Sequence, residues 1–187
     1  MISAVFDACV LYSASLRDFL LHLASDGLVD PFWSEEIQNE WTRNLLLRRS
    51  DVMRERLERT CQEMDSHFPR GRVHGYESIM PTLLLPDPKD RHVLAAAIHA
   101  KTQYIVTFNL NDFPEAILQM YGIEAISPDE FVFRLIHQIP ARVLRAVKKH
   151  RLSLTRPSKT VAEYLETLEK QKLPQTVAFL WRHEDDI

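Results

Sequence analysis

Residues 87–112 read DPKDRHVLAAAIHAKTQYIVTFNLND, a capped helix, a short strand and an acidic loop in succession. Asp87 suits the cap, Pro88 the first helical position, and Asp90 the first turn, where unpaired backbone N–H groups favour a carboxylate. The run from Val93 to Ile98 is apolar on nearly every side, which predicts a well-buried helix, and its three alanines favour helix over strand. Tyr104-Ile105-Val106-Thr107 has the composition of a strand, and Asn109-Leu110-Asn111-Asp112 that of a polar loop. A helix followed by a short apolar strand is half of a parallel α/β unit.

Working outward, the same alternation recurs. Ile2 to Phe6 is an apolar run ended by Asp7, read as a buried strand. Arg17 to Ala24 has helical spacing, closed by Asp26-Gly27. Val29 to Trp33 is a second strand, weakened by Pro31. Ser34 caps a helix from Glu35 to about Arg48, and a charge-rich helix runs from Ser50 to about His67. Residues 69–89 read as a connecting loop. Pro114 to Tyr121 is a short helix stopped by Gly122, Ile123 to Ile126 a fourth strand, and Ser127-Pro128-Asp129-Glu130 a capping box opening another helix. Beyond Ile139-Pro140 the chain is helical, broken at Pro157-Ser158, with Thr160-Val161-Ala162-Glu163 capping a final amphipathic stretch. The expected class is α/β with a central parallel sheet. Residues 1–137 form the main domain and 138–187 a docked helical C-terminal extension.

Composition narrows the function. Of 187 residues, 45% are apolar and 26% charged, which excludes wholesale disorder. Two cysteines, Cys9 and Cys61, exclude a disulfide scaffold and a four-cysteine zinc site and suit a reducing cytoplasm. No membrane span is expected, and Asp7 interrupts the first apolar stretch without a basic leader before it. The net charge of −3 gives no global nucleic-acid signal. There is no ATP-binding G-x-x-x-x-G-K-[ST] and no G-x-G-x-x-G. Cys9 stands where an aspartyl-nucleophile phosphatase needs a second aspartate, and Asp7 lacks the acidic neighbour of a receiver domain.

Four carboxylates stand out by placement. Asp7 and Asp112 follow strands, at the carboxyl edge where parallel sheets collect ligands. Asp90 lies in the first turn of its helix. Glu40 falls between Ile37 and Trp41 on the apolar face of its helix, where a carboxylate needs either a cationic partner or a metal. Such a cluster repels itself, and oxygen ligation without cysteine suits Mg²⁺ or Mn²⁺, the ions that serve phosphodiester cleavage. Cap, turn and salt-bridge roles account for each acid taken singly. Asn109 and Asn111 share the loop with Asp112. His92 and His99 read as helix-surface residues, and Cys9 as a small buried hydrophobe.

Four blocks resemble the PIN-domain ribonucleases in order and spacing, nearest the branch with VapC-like toxins: Val5-Phe6-Asp7-Ala8, Glu36-Ile37-Gln38-Asn39-Glu40-Trp41, Asp87 to Ala97, and Tyr104 to Phe113. The likeness covers about residues 1–135. It implies a three-layer α/β/α fold and a Mg²⁺- or Mn²⁺-dependent cut in RNA. Asp7, Glu40, Asp90 and Asp112 take the catalytic positions, with Asp7, Asp90 and Asp112 on the metal and Thr107, Asn109 and Asn111 in support. It also implies a cognate antitoxin protein, with a homodimer allowed. Two positions depart from the pattern: Cys9, where many members have Asn or Ser, and Asn109, where Asp is frequent. The alternative function is a PIN-like module that binds RNA or protein without cutting.

Basic residues cluster twice. Arg43, Arg48, Arg49, Arg54, Arg56 and Arg59 are offset by Asp51, Glu55 and Glu58. The stretch from Ala141 to Ala162 has no acid, and its Arg145, Lys148, Lys149 and Arg151 are the candidate RNA contacts, against plain solvation.

Overall fold

The computed structural model describes residues 2–187. Five strands form one parallel sheet in the order β3-β2-β1-β4-β5: β1 (Ile2–Phe6), β2 (Val29–Ser34), β3 (Arg72–Val73), β4 (Tyr104–Val106) and β5 (Glu124–Ile126). The registers pair Val5 with Ile105, Trp33 with Arg72, and Ile105 with Ala125. From β1 the chain first builds outward through β2 and β3, then crosses to the other side for β4 and β5. The carboxyl ends of β1 and β4 therefore flank the point where strand order reverses, the usual ligand crevice of such sheets.

The helices are α1 (Ala8–Leu11), α2 (Ala14–Ser25), α3 (Glu35–Arg48), α4 (Arg54–His67), α5 (Arg91–His99), α6 (Glu115–Leu118), α7 (Pro128–Gln138), α8 (Pro140–Ser153), α9 (Val161–Lys170) and α10 (Pro174–Trp181). The chain divides into two compact units. One comprises 2–12 and 30–126; the other comprises 13–29 and 127–187.

In the first unit α5 packs on β1 and β4. Val93 through Ala97 are all fully buried, as an apolar helix covering a sheet requires. Ala4, Val5 and Phe6 of β1 and Ile105 and Val106 of β4 are equally buried, so both strands read as continuous apolar runs. Ser34 caps α3 by accepting from the Ile37 N–H at 3.2 Å.

Three local differences from the sequence reading have simple causes. The loop expected over residues 69–89 contains β3, whose two residues are too few for any periodicity to register. It is held because Gly71 lets β2 approach: a Cβ there would lie 2.9 Å from the Pro31 carbonyl oxygen and 3.1 Å from the Trp33 ring. The fourth helix starts at Arg54 rather than Ser50, after an extended Met53. Finally, α1 is a single turn that interrupts the stretch after Asp7, and its length defeats a periodic signal.

The second unit is helical apart from the residues leading into β2. The capping box at Thr160 is complete, with the Glu163 carboxylate accepting from the Thr160 N–H at 2.9 Å. At Ser127 only half forms: Ser127 accepts from the Glu130 N–H, while Glu130 turns to Arg134. Asp129 is buried and accepts from the N–H groups of Gln175 and Thr176 at 3.0 and 2.9 Å, capping α10 from α7.

Candidate active site

Asp7 ends β1 and caps α1, accepting from the Ala8 N–H at 2.6 Å. Thr107, one residue past β4, donates to Asp7 Oδ2 at 2.6 Å and so ties the carboxyl ends of the two central strands together. The Cys9 thiol donates to the same oxygen at 3.1 Å. Burial pushes the Asp7 carboxyl above its ordinary range; the bonds from Thr107, Cys9 and Ala8 pull the other way, and the charge of Glu40 adds to the rise. Three donors thus fix the orientation of a carboxylate that water barely reaches.

Beside it opens a cavity of about 590 Å³ lined by Glu40, Asp90 and Asp112, with Asn109 on the same wall. Asp87 is used as a cap, accepting from the Lys89 N–H at 2.9 Å, whereas Asp90 forms no capping bond and keeps its carboxylate for the cavity. Desolvation and then the charges of Asp7, Asp112, Asp87 and Glu40 raise the Asp90 carboxyl to about 6. The acids of four separate segments therefore feel one another around Asp90. Arg43 and Lys89 line the same cavity and moderate its negative field.

Residues 3–111 match the PIN domain family. The chain belongs to that family. Residues 128–182 of this PIN-domain protein match the VapC50 C-terminal domain. A protein of Mycobacterium tuberculosis named "Putative ribonuclease VapC50" is 52% identical over 44 residues, 24% of this chain and 26% of that protein, so the chain spans about a quarter of this relative's length. No solved structure matches.

The carboxylates that line the PIN domain's cavity repel one another and offer oxygen donors, with the His92 ring on the same lining, and carboxylate oxygens are what a hard divalent cation takes. Among the described residues no group of three or more His, Cys, Asp or Glu side chains stands close enough to hold an ion in this arrangement. The fit is one of ligand type and place.

Two expectations need correction. Glu40 does not face the core: its side chain is 37% exposed, and the group beside it is His92, with Nε2 at 3.5 Å from Oε2. A helical wheel assigns a direction but not a depth, and the cavity opens along that direction. His92, in turn, is no surface histidine. It is buried, between Glu40 and Glu36, whose Oε2 lies 3.7 Å from Nδ1. Both partners come from another helix, which intrahelical spacing does not reveal. We expect Glu40→Gln to change stability in urea melts by less than ~1 kcal/mol, since the glutamate itself is partly exposed and keeps its shape as an amide, while RNA cleavage is lost. A larger loss of stability identifies Glu40 as a structural partner of His92 instead.

Cys9 also exceeds the small-hydrophobe expectation. Its sulfur accepts from the Phe108 N–H at 3.3 Å and lies 3.4 Å from Thr107 Oγ1, in addition to the bond to Asp7. Burial and then the Asp7 charge push the thiol up to about 12, so it stays protonated and serves as a donor, not a nucleophile. Thr107 Oγ1 in turn accepts from the Asn109 N–H at 3.0 Å. Cys9→Ser should keep this network. Cys9→Ala should cost about 1–2 kcal/mol in chemical denaturation and slow RNA cleavage by roughly 10- to 100-fold, the usual effect of removing a partner that orients a ligand. Equal rates for Ala and Ser would exclude the orienting role.

Other candidates are placed elsewhere. Asn111 lines a different cavity, with Phe113, Pro114 and Leu118. Arg145, Lys148, Lys149 and Arg151 belong to the helical unit, on α8. Arg145 and Lys148 are exposed, Lys149 reaches both oxygens of Asp26 at 3.0 Å, and Arg151 donates to the Lys159 carbonyl oxygen at 3.0 Å. Among the described residues no helix is long and apolar enough to cross a membrane.

Proposed function

We propose that the chain is a metal-dependent endoribonuclease, the toxin of a type II toxin–antitoxin pair, with an RNA substrate and a cognate antitoxin protein as partners. The observation that carries this reading is that Glu40, Asp90 and Asp112 line one cavity at the sheet's reversal point, with the buried Asp7 near enough for its charge to act on Asp90, in a PIN-domain chain. The nuclease is assigned to residues 1–137, and the helical extension to 138–187.

In this reading Asp7, Asp90 and Asp112 hold Mg²⁺ or Mn²⁺, which when bound supplies Lewis acidity toward the scissile phosphate. Thr107 and Cys9 keep Asp7 in a single orientation. Glu40, beside His92, accepts the proton of the attacking water. The water oxygen bonds to phosphorus, the bond to the leaving oxygen breaks, and that oxygen is protonated from solvent. Lys89 and Arg43 meet the phosphate charge, which the carboxylates alone would repel.

The test is direct. The purified chain should cut RNA with Mn²⁺ or Mg²⁺, stop with a chelator, and melt at a higher temperature when Mn²⁺ is added. A second reading, RNA binding without cutting, draws on the open spacing of the carboxylates. RNA binding without metal-dependent cleavage would establish it in place of the first.

A further inference from the structure

Next to the acidic cavity lies a smaller one of about 320 Å³, lined by Tyr12, Asn44, Arg48 and Asn109 together with Cys9 and Glu40. Glu40, Asn44 and Asn109 line both, so the two adjoin. Glu40, Asn44 and Arg48 recur at every fourth residue of α3, one stripe along a single face that rises about 12 Å from acid to cation. Tyr12 ends α1 and is half-buried, with its side chain on the cavity wall. A ring, two amides that each offer donors and an acceptor, and a guanidinium are the groups that recognise, in turn, a base face, a base edge and a phosphate. The volume is at the small end of ligand sites, about 300 Å³, too little for base-paired RNA and suited to a base turned out of a single strand.

We propose that this second cavity takes one unpaired nucleotide of the RNA beside the bond that is cut, its base against the Tyr12 ring, its edge on Asn44 and Asn109, and a phosphate on Arg48. The proposal rests on the ribonuclease reading above and adds to it the residues of this chain that would hold one nucleotide. It also gives Arg48 of the first basic cluster a role, because the offsetting acids Asp51, Glu55 and Glu58 lie outside this cavity while Arg48 lines it.

The experiment measures binding of a short labelled single-stranded RNA by fluorescence anisotropy, with chelator present so that nothing is cut. Tyr12→Ala should weaken binding by roughly 5- to 150-fold, the range of one base–ring stack. Tyr12→Phe keeps the ring and should bind as wild type. Arg48→Ser, at an exposed position, should flatten the slope of log affinity against log salt by about 0.7, one phosphate contact on a single strand. A duplex of the same sequence should be insensitive to Tyr12→Ala. Should Tyr12→Ala fail to fold, the salt slope of Arg48→Ser carries the test. A wild type that binds and cuts RNA, with neither variant changing affinity or salt slope, overturns the subsite alone. A wild type that neither binds nor cuts RNA overturns the ribonuclease reading, and the subsite with it.

Discussion

Asp90→Asn should abolish RNA cleavage and at the same time make the metal-free protein more stable. The carboxyl of Asp90 is raised to about 6 by desolvation and by the charges of Asp7, Asp112, Asp87 and Glu40. A carboxyl raised in the folded state binds a proton more tightly folded than unfolded. Stability from this group is therefore greatest below its unfolded value near 3.8 and is lost as pH rises to about 6. The full shift would correspond to about 3 kcal/mol, and solvent at a half-exposed side chain reduces this to about 1 kcal/mol. At neutral pH the amide should recover that amount, and the decline of stability between pH 4 and 6 should become shallower. Activity should move the other way, by a factor on the order of 10²–10³, as when one preorganised charge partner of a transition state is removed. Urea melts across this pH range and cleavage assays on the same preparation check both. A variant that cuts at the wild-type rate removes Asp90 from the site; one less stable than wild type contradicts the repulsion.

The candidate site was legible in the sequence as a set of acids, not through any one of them. Cap and turn roles account for Asp7, Asp90 and Asp112 taken singly, and what singled them out was their shared place at the carboxyl edge of a parallel sheet. The elements beneath them were equally readable, because the apolar runs over residues 4–6, 105–106 and 93–97 are fully buried and admit few alternatives. What escaped were features whose cause lies in another segment. β3 exists because Gly71 admits β2. His92 is buried between two glutamates of α3. Lys149 is committed to Asp26, so a run without acids in sequence is not a surface without acids in space. Glu40, Asn44 and Arg48 shared a helical face in plain view, but the wall opposite them is built from α1 and the loop after β4, which local spacing does not connect.

The helical unit has its own fixed point, and removing it should have the largest effect on stability. His150 is buried, with Nε2 at 3.0 Å from Asp18 Oδ2 and Nδ1 at 2.8 Å from the Tyr164 hydroxyl. A carboxylate only accepts, so Nε2 carries the proton, and in the neutral ring Nδ1 accepts from the tyrosine. The ring of His22 stands 5.0 Å away and that of Phe19 5.7 Å, so α2, α8 and α9 meet on this imidazole. His150→Ala leaves a cavity among them and strands a hydroxyl on a tyrosine that is itself almost wholly buried. The two losses together should reach about 3–5 kcal/mol. Tyr164→Phe, which keeps the packing and removes one bond, should cost about 1 kcal/mol, and Asp18→Asn less still because Asp18 is exposed. The hydrogen bond from His150 holds the Asp18 carboxyl below its ordinary range, so the pair stabilises above the unfolded Asp value near 4 and is lost as pH falls through the lower folded value. Denaturant melts of the three variants, at neutral pH and at acid pH, should give the order His150→Ala, Tyr164→Phe, Asp18→Asn, with the Asp18→Asn difference vanishing in acid. A His150→Ala protein within ~1 kcal/mol of wild type would mean that the three helices are held by their apolar faces alone, with Val143, Val147 and Leu168 carrying what is here assigned to the imidazole.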